Sequence, residues 1–144
     1  MPPTARDAGF AGAVREVDRA IRAKQRPRAL VFTTLSMFRI RALDWRDTGA
    51  SQDVLLSGAS ITGHRERFLS FADEDWRRIE RLLAQGRDWI PQVGGRRLFW
   101  GEGKESWMAV VKQVPTGGLF LLTARRANGR EIQKWRERKQ AVDI

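Results

Sequence analysis

The chain has 144 residues, enough to enclose one modest hydrophobic core and too few for two stable ones. Its 27 Lys plus Arg against 17 Asp plus Glu leave a formal charge of +10, a surface field suited to a polyanion such as RNA, DNA or an acidic protein. The absence of Cys and the presence of one His exclude disulfides, thiolate metal sites and most multi-histidine cages, so neither a metal nor a cofactor is expected.

No stretch approaches the roughly 18 apolar residues of a membrane-spanning helix, so no membrane partner is expected. No signal-peptide pattern opens the chain, and cytoplasmic residence is the expectation. Basic residues concentrate towards the two ends.

In chain order, Thr4 is placed to cap a helix running to about Gln25, with Phe10, Val14, Val17 and Ile21 on one stripe and Pro27 as its stop. Residues 30–43 are rich in β-branched and aromatic side chains and suit extended structure, although a helix also fits them. Val54, Leu55 and Leu56 read as a short buried strand or turn lead-in, and Ser60 as the cap of a brief helix carrying His64. Ser70 with Asp73 resembles a capping box for a further helix, in which Trp76, Ile79, Leu82 and Leu83 share a face and after which Gly86 is the stop.

From Trp89 onwards the pattern changes to short apolar runs cut by glycine and proline, the punctuation of an antiparallel meander. Strands are expected at about Arg96–Trp100, Ser106–Val114 and Leu119–Arg126. Asn128-Gly129 then turns into a basic last helix with Ile132 and Trp135 clamped on the sheet. The class is therefore α+β: N-terminal helices, a small antiparallel sheet of about three to five strands, and a C-terminal basic helix.

The order Ser57-(x)6-His64-Arg65-Glu66, then Asp75-Trp76-(x)2-Ile79-(x)2-Leu82-(x)3-Gly86, then Trp107 to Lys112 and Leu119 to Arg126, resembles phage-type nucleases of the barnase, EndoU, colicin D and RelE-like superfamily. The likeness covers roughly residues 54–139. It implies a nuclease domain over 51–144, with 1–50 as a helical extension packed on it or docking it to something else. The chain departs from the family's pattern at Arg65, where members often carry proline, and at Arg125, where they often carry an aromatic.

What the resemblance implies is a metal-independent endoribonuclease, a toxin or phage-derived effector in kind, delivered to a target cell or carried in a virion. An acidic immunity or antitoxin protein, or a phage structural assembly, would be its partner. The alternative is a noncatalytic nucleic-acid-binding or phage accessory module that keeps the fold without the chemistry.

His64 is the one side chain whose ordinary pKa lies near neutrality, which suits it to move the 2′-hydroxyl proton of RNA. RNA supplies its own nucleophile, and the charge that develops on the phosphoryl oxygens needs fixed cations. Strand alternation puts Thr123 and Arg125 on one face with Leu119 and Leu121, where a hydroxyl and a guanidinium can reach one phosphate. Lys112, in phase with Met108 and Val110, would stand beside that phosphate or else snorkel from the sheet edge.

Glu66 would orient His64 or pair locally with its arginine neighbours. Trp100 and Trp107, with Lys104 close by, are candidates for stacking on unpaired bases, and core packing is their structural alternative. Arg126 and the run Arg130 to Lys139, including Lys134, would track phosphates or form a solvated helix face.

Overall fold

A computed structural model describes residues 9–23, 39–43, 51–56, 58–85, 88–101, 106–113 and 119–142. In chain order these form α1 (Phe10–Arg22), β1 (Arg39–Leu43), β2 (Ser51–Leu56), α2 (Gly58–Gly63), α3 (Arg65–Ser70) and α4 (Asp73–Gln85). β3 (Trp89–Gln92), β4 (Arg96–Gly101), β5 (Trp107–Gln113), β6 (Leu119–Arg126) and α5 (Gly129–Val142) follow. The class is α+β.

The strands form one six-stranded sheet in the order β1-β2-β6-β5-β4-β3. Four of its five ladders are antiparallel, and the single parallel ladder joins β2 to β6 through Val54–Leu119, Leu55–Phe120 and Leu56–Leu121. The sheet is one strand larger than the upper end of the expected range because β1 and β3 extend its two edges. Between β3 and β4 the chain reverses through Gly94 and Gly95, whose φ values of 81° and 73° suit residues without a Cβ.

The two faces of the sheet carry separate apolar clusters. On one face Phe10, Val14 and Val17 of α1, Phe68 of α3, and Trp76, Ile79 and Leu83 of α4 close over strand residues. Trp107, Ala109 and Val111 of β5 belong to this cluster, whereas Met108 and Val110 point the other way to Ile132 and Trp135 of α5. The alternation of β5 is thus buried on both sides, which explains its continuous apolar run.

α1 begins at Phe10 with Gly9 at its N-cap, and Thr4, the expected cap, lies outside the described residues. Its N-terminus is closed from a distant part of the chain: the Asp73 carboxylate accepts the N–H groups of Gly9 at 3.0 Å and Ala11 at 2.7 Å. The expected Ser70–Asp73 capping box therefore does not form. The Ala72 N–H donates to Asp75 at 2.9 Å at the start of α4, while the Ser70 hydroxyl donates to the Arg67 carbonyl. Asp73 is thereby free to serve α1, because Asp75 has taken the local role.

The bond from Ala11, then that from Gly9, holds the Asp73 carboxyl below the usual carboxylate range. A carboxyl depressed in the folded state contributes stability above its unfolded pKa and loses it as pH falls through the depressed one. Asp73→Ala is expected to cost about 0.5–2 kcal/mol at neutral pH, as cap removals do. In thermal melts over a pH series the gap from the parent should close under acid conditions, and a gap independent of pH would refute the assignment.

Candidate functional site

His64 lies between α2 and α3, at the N-cap of the latter, with φ −129° and ψ 41°. Ser60, expected as a cap, is instead a buried residue inside α2, and its carbonyl accepts the His64 N–H at 3.1 Å. The His64 carbonyl in turn accepts the Phe68 N–H at 3.0 Å. Two six-residue helices are thus joined by one non-helical residue, which turns its side chain outward while Phe68 anchors α3 in the core.

The imidazole is half-buried, with its ring 6.0 Å from that of Phe68 in an edge-on arrangement. It borders an open hollow of about 410 Å³ lined by Thr62, Gly63, His64, Arg65, Glu66 and Arg67. Two of the six lining residues are arginines, and each is held by a different part of the fold.

The Arg65 Nε donates at 2.9 Å to Asp18 of α1, whose carboxylate also accepts the Arg22 Nε at 3.0 Å. Asp18 is only 3% exposed, so its charge is removed from water and both its oxygens are held by guanidiniums. Arg67 reaches the other way and donates through Nη1 to the Thr123 hydroxyl at 2.5 Å. The segment carrying His64 is thereby joined to the last strand across 56 residues of sequence.

The β2–β6 ladder ends at Leu56–Leu121, two residues before Thr123. β6 also carries a bulge: Val110 faces Thr123 while Val111 faces Leu121, leaving Leu122 as the extra residue. Leu119, Leu121 and Ala124 consequently share the helical-side cluster, while Thr123 and Arg125, opposite Val110 and Met108, keep a common direction on the other face, which corrects only the expectation that they share a face with Leu119 and Leu121. One inserted residue reverses the alternation for everything after it.

Arg125 is in register with Met108, on the α5 side, and makes a two-pronged contact with Glu131 at 2.9 and 2.5 Å. This pairing raises the Arg125 pKa above its ordinary value and lowers that of Glu131. Glu131 also closes a reciprocal cap with Asn128 at the start of α5, so Arg125 is committed to anchoring that helix. Arg125 does not join Thr123 at one phosphate.

Lys112 is likewise not gathered with His64. It follows Met108 and Val110 on the α5 side of β5, half-exposed, with Arg96 and Phe120 as its cross-strand neighbours. The base-stacking expectation for two tryptophans is also corrected. Trp100 is 2% exposed and packs on Trp135 at 6.2 Å, and Trp107 is 4% exposed and meets Phe71 edge-on at 5.4 Å. Rings this deeply enclosed offer no face to a base.

Lys104 lies outside the described residues. Arg126 is exposed at the end of β6, with its guanidinium 5.6 Å from the Trp107 ring centre, and Arg130 and Lys134 are exposed on α5. Among the described residues no group of three His, Cys, Asp or Glu could hold a metal ion, and no helix is long and apolar enough to cross a membrane.

Arg67 and the Asp18–Arg65 pair are the site features that sequence reasoning missed. The spacing His64-(x)2-Arg67 is a local signal that puts Arg67 in the first turn of the helix that His64 caps. Nothing local pairs Arg67 with Thr123 or Arg65 with Asp18. Comparisons with known protein families, with curated proteins and with solved structures return no match.

Proposed function

We propose that the protein is a metal-independent endoribonuclease that cleaves RNA by transesterification at the hollow beside His64. The observation that carries this reading is the Arg67–Thr123 hydrogen bond, because it seats the histidine-bearing segment against the last strand with two arginines around one open depression. His64 accepts the 2′-hydroxyl proton, and the 2′-oxygen attacks the adjacent phosphorus. The 5′-oxygen leaves with a proton from solvent, giving a 2′,3′-cyclic phosphate and a 5′-hydroxyl.

Arg67 takes the electrostatic role expected of Arg125, and Arg65, oriented by Asp18, adds a second planar donor for the phosphoryl oxygens. An acidic immunity-type protein would mask these cations by charge complementarity.

A second reading, a noncatalytic nucleic-acid-binding or phage accessory module, draws on the diversion of Arg125 to Glu131. Total RNA incubated with purified protein in excess chelator separates the two. The enzyme is expected to generate cyclic-phosphate ends, and His64→Ala to slow their appearance by about 10²–10⁴-fold. Equal cutting by parent and His64→Ala would overturn the site, and RNA binding without any cleavage would leave the second reading in place.

A further inference from the structure

The outward side of α5 carries a feature that the hollow does not use. Arg130, Lys134 and Arg138 are exposed and recur every four residues, so they form one row along the helix with a rise of about 6 Å between neighbours. Ile132 and Trp135 hold the opposite side of the helix on the sheet, which fixes the row towards solvent.

Against this row α5 sets, among the described residues, one carboxylate not held by another cation in the fold, Glu137, three residues after Lys134 and next to Arg138, so the row keeps a net positive charge. Glu131 is taken by Arg125 and by the Asn128 N–H, and Glu137 accepts from the Gln133 amide at 3.2 Å. Like charges four residues apart cost a helix about 0.2–0.5 kcal/mol per pair.

We infer that this row is a second nucleic-acid surface, which grips the phosphate backbone of single-stranded RNA without reading its sequence. It belongs to the side of the sheet covered by α5, whereas His64 belongs to the helical segments on the other side, so a strand on α5 does not occupy the hollow. Arg and Lys at a spacing comparable with successive phosphates match a polyanionic strand better than a compact acidic partner. Exposed Arg126, at the end of β6 just before α5, extends the positive surface to the start of the row.

The surface is testable whether or not the protein cuts RNA, using a fluorescent single-stranded oligonucleotide that lacks 2′-hydroxyls and so cannot be cleaved by transesterification. Anisotropy titrations over a salt series would compare the parent with R130Q/K134Q/R138Q and with R130E/K134E/R138E. Losing three phosphate contacts should lower the slope of log K against log salt by about 2, at roughly 0.7 per contact for single strands. Affinity at low salt is expected to fall at least about tenfold.

The glutamine set guards against misfolding of the charge-reversed set, and parental melting temperatures confirm that either set is folded. An unchanged slope in folded protein overturns the inference. Such a result would stand even if the parent cleaves RNA, and a fallen slope would stand even if it does not.

Discussion

Truncating Trp76 to alanine is expected to cost about 3–5 kcal/mol, a large part of the roughly 5–15 kcal/mol that stabilises a domain of this kind. Trp76 is fully buried at the point where α1, α3 and α4 converge. Its ring lies 5.0 Å from Phe10, 5.5 Å from Phe68 and 5.2 Å from Phe71, so the truncation leaves a cavity bordered by three aromatic rings that cannot all collapse into it. Thermal melts should fall by more than about 10 °C.

Trp76→Phe is the informative companion. Among the described residues the buried Trp76 indole N–H has no hydrogen-bond partner, so phenylalanine loses packing volume but no bond and removes an unsatisfied donor. Its melting temperature should lie much closer to the parent than that of the alanine variant. An alanine variant melting within about 3 °C of the parent would show that the aromatic cluster does not hold the helices together.

Arg67→Ala is expected to slow RNA cleavage by about 10²–10³-fold, the size of effect seen when one donor to a developing anionic charge is removed. Arg67→Lys should recover little of this. An ammonium lacks the planar fork that can keep the Thr123 hydroxyl on one nitrogen while presenting another to a phosphoryl oxygen. Thr123→Val tests the same contact from the other side. The two single changes should be coupled by at least about 0.5 kcal/mol in a double-mutant cycle on the cleavage rate. Strict additivity, or full activity in Arg67→Lys, would remove Arg67 from the proposed chemistry.

Legibility in the sequence followed the range of the forces involved. The period of Phe10, Val14 and Val17 located α1, the stripe Trp76, Ile79 and Leu83 located α4, and the run Leu119–Arg126 matched β6 to the residue. In each, neighbouring residues agree on one burial direction, and that agreement is visible locally. Asn128 was legible as the turn into α5, although its reciprocal bonds with Glu131 also recruited Arg125, which sequence reasoning had assigned to a phosphate.

The site was half legible. His64 stood out because it is the one imidazole, and Thr123 lies against its segment; Arg125 and Lys112 do not. The bulge at Leu122 has no side-chain signature, yet it decides the direction of the residues that follow it. Trp100 and Trp107 illustrate the same limit, since large aromatics near glycine-rich turns suit both a core and a stacking surface. Only the closure of helices over both faces of the sheet placed them in the core.

The sequence by itself determined the α+β class, the positive field and the choice of His64 as the sole imidazole, because these depend on composition and on short-range periodicity. The tertiary structure alone decided that Arg67 meets Thr123, that Asp18 of α1 holds Arg65 beside His64, and that Asp73 closes the N-terminus of α1. Each of those contacts joins residues 47 to 64 positions apart. No local pattern encodes which charged side chain a distant partner will capture; that choice is made when the two apolar clusters close and leave each polar group the partners that remain within reach.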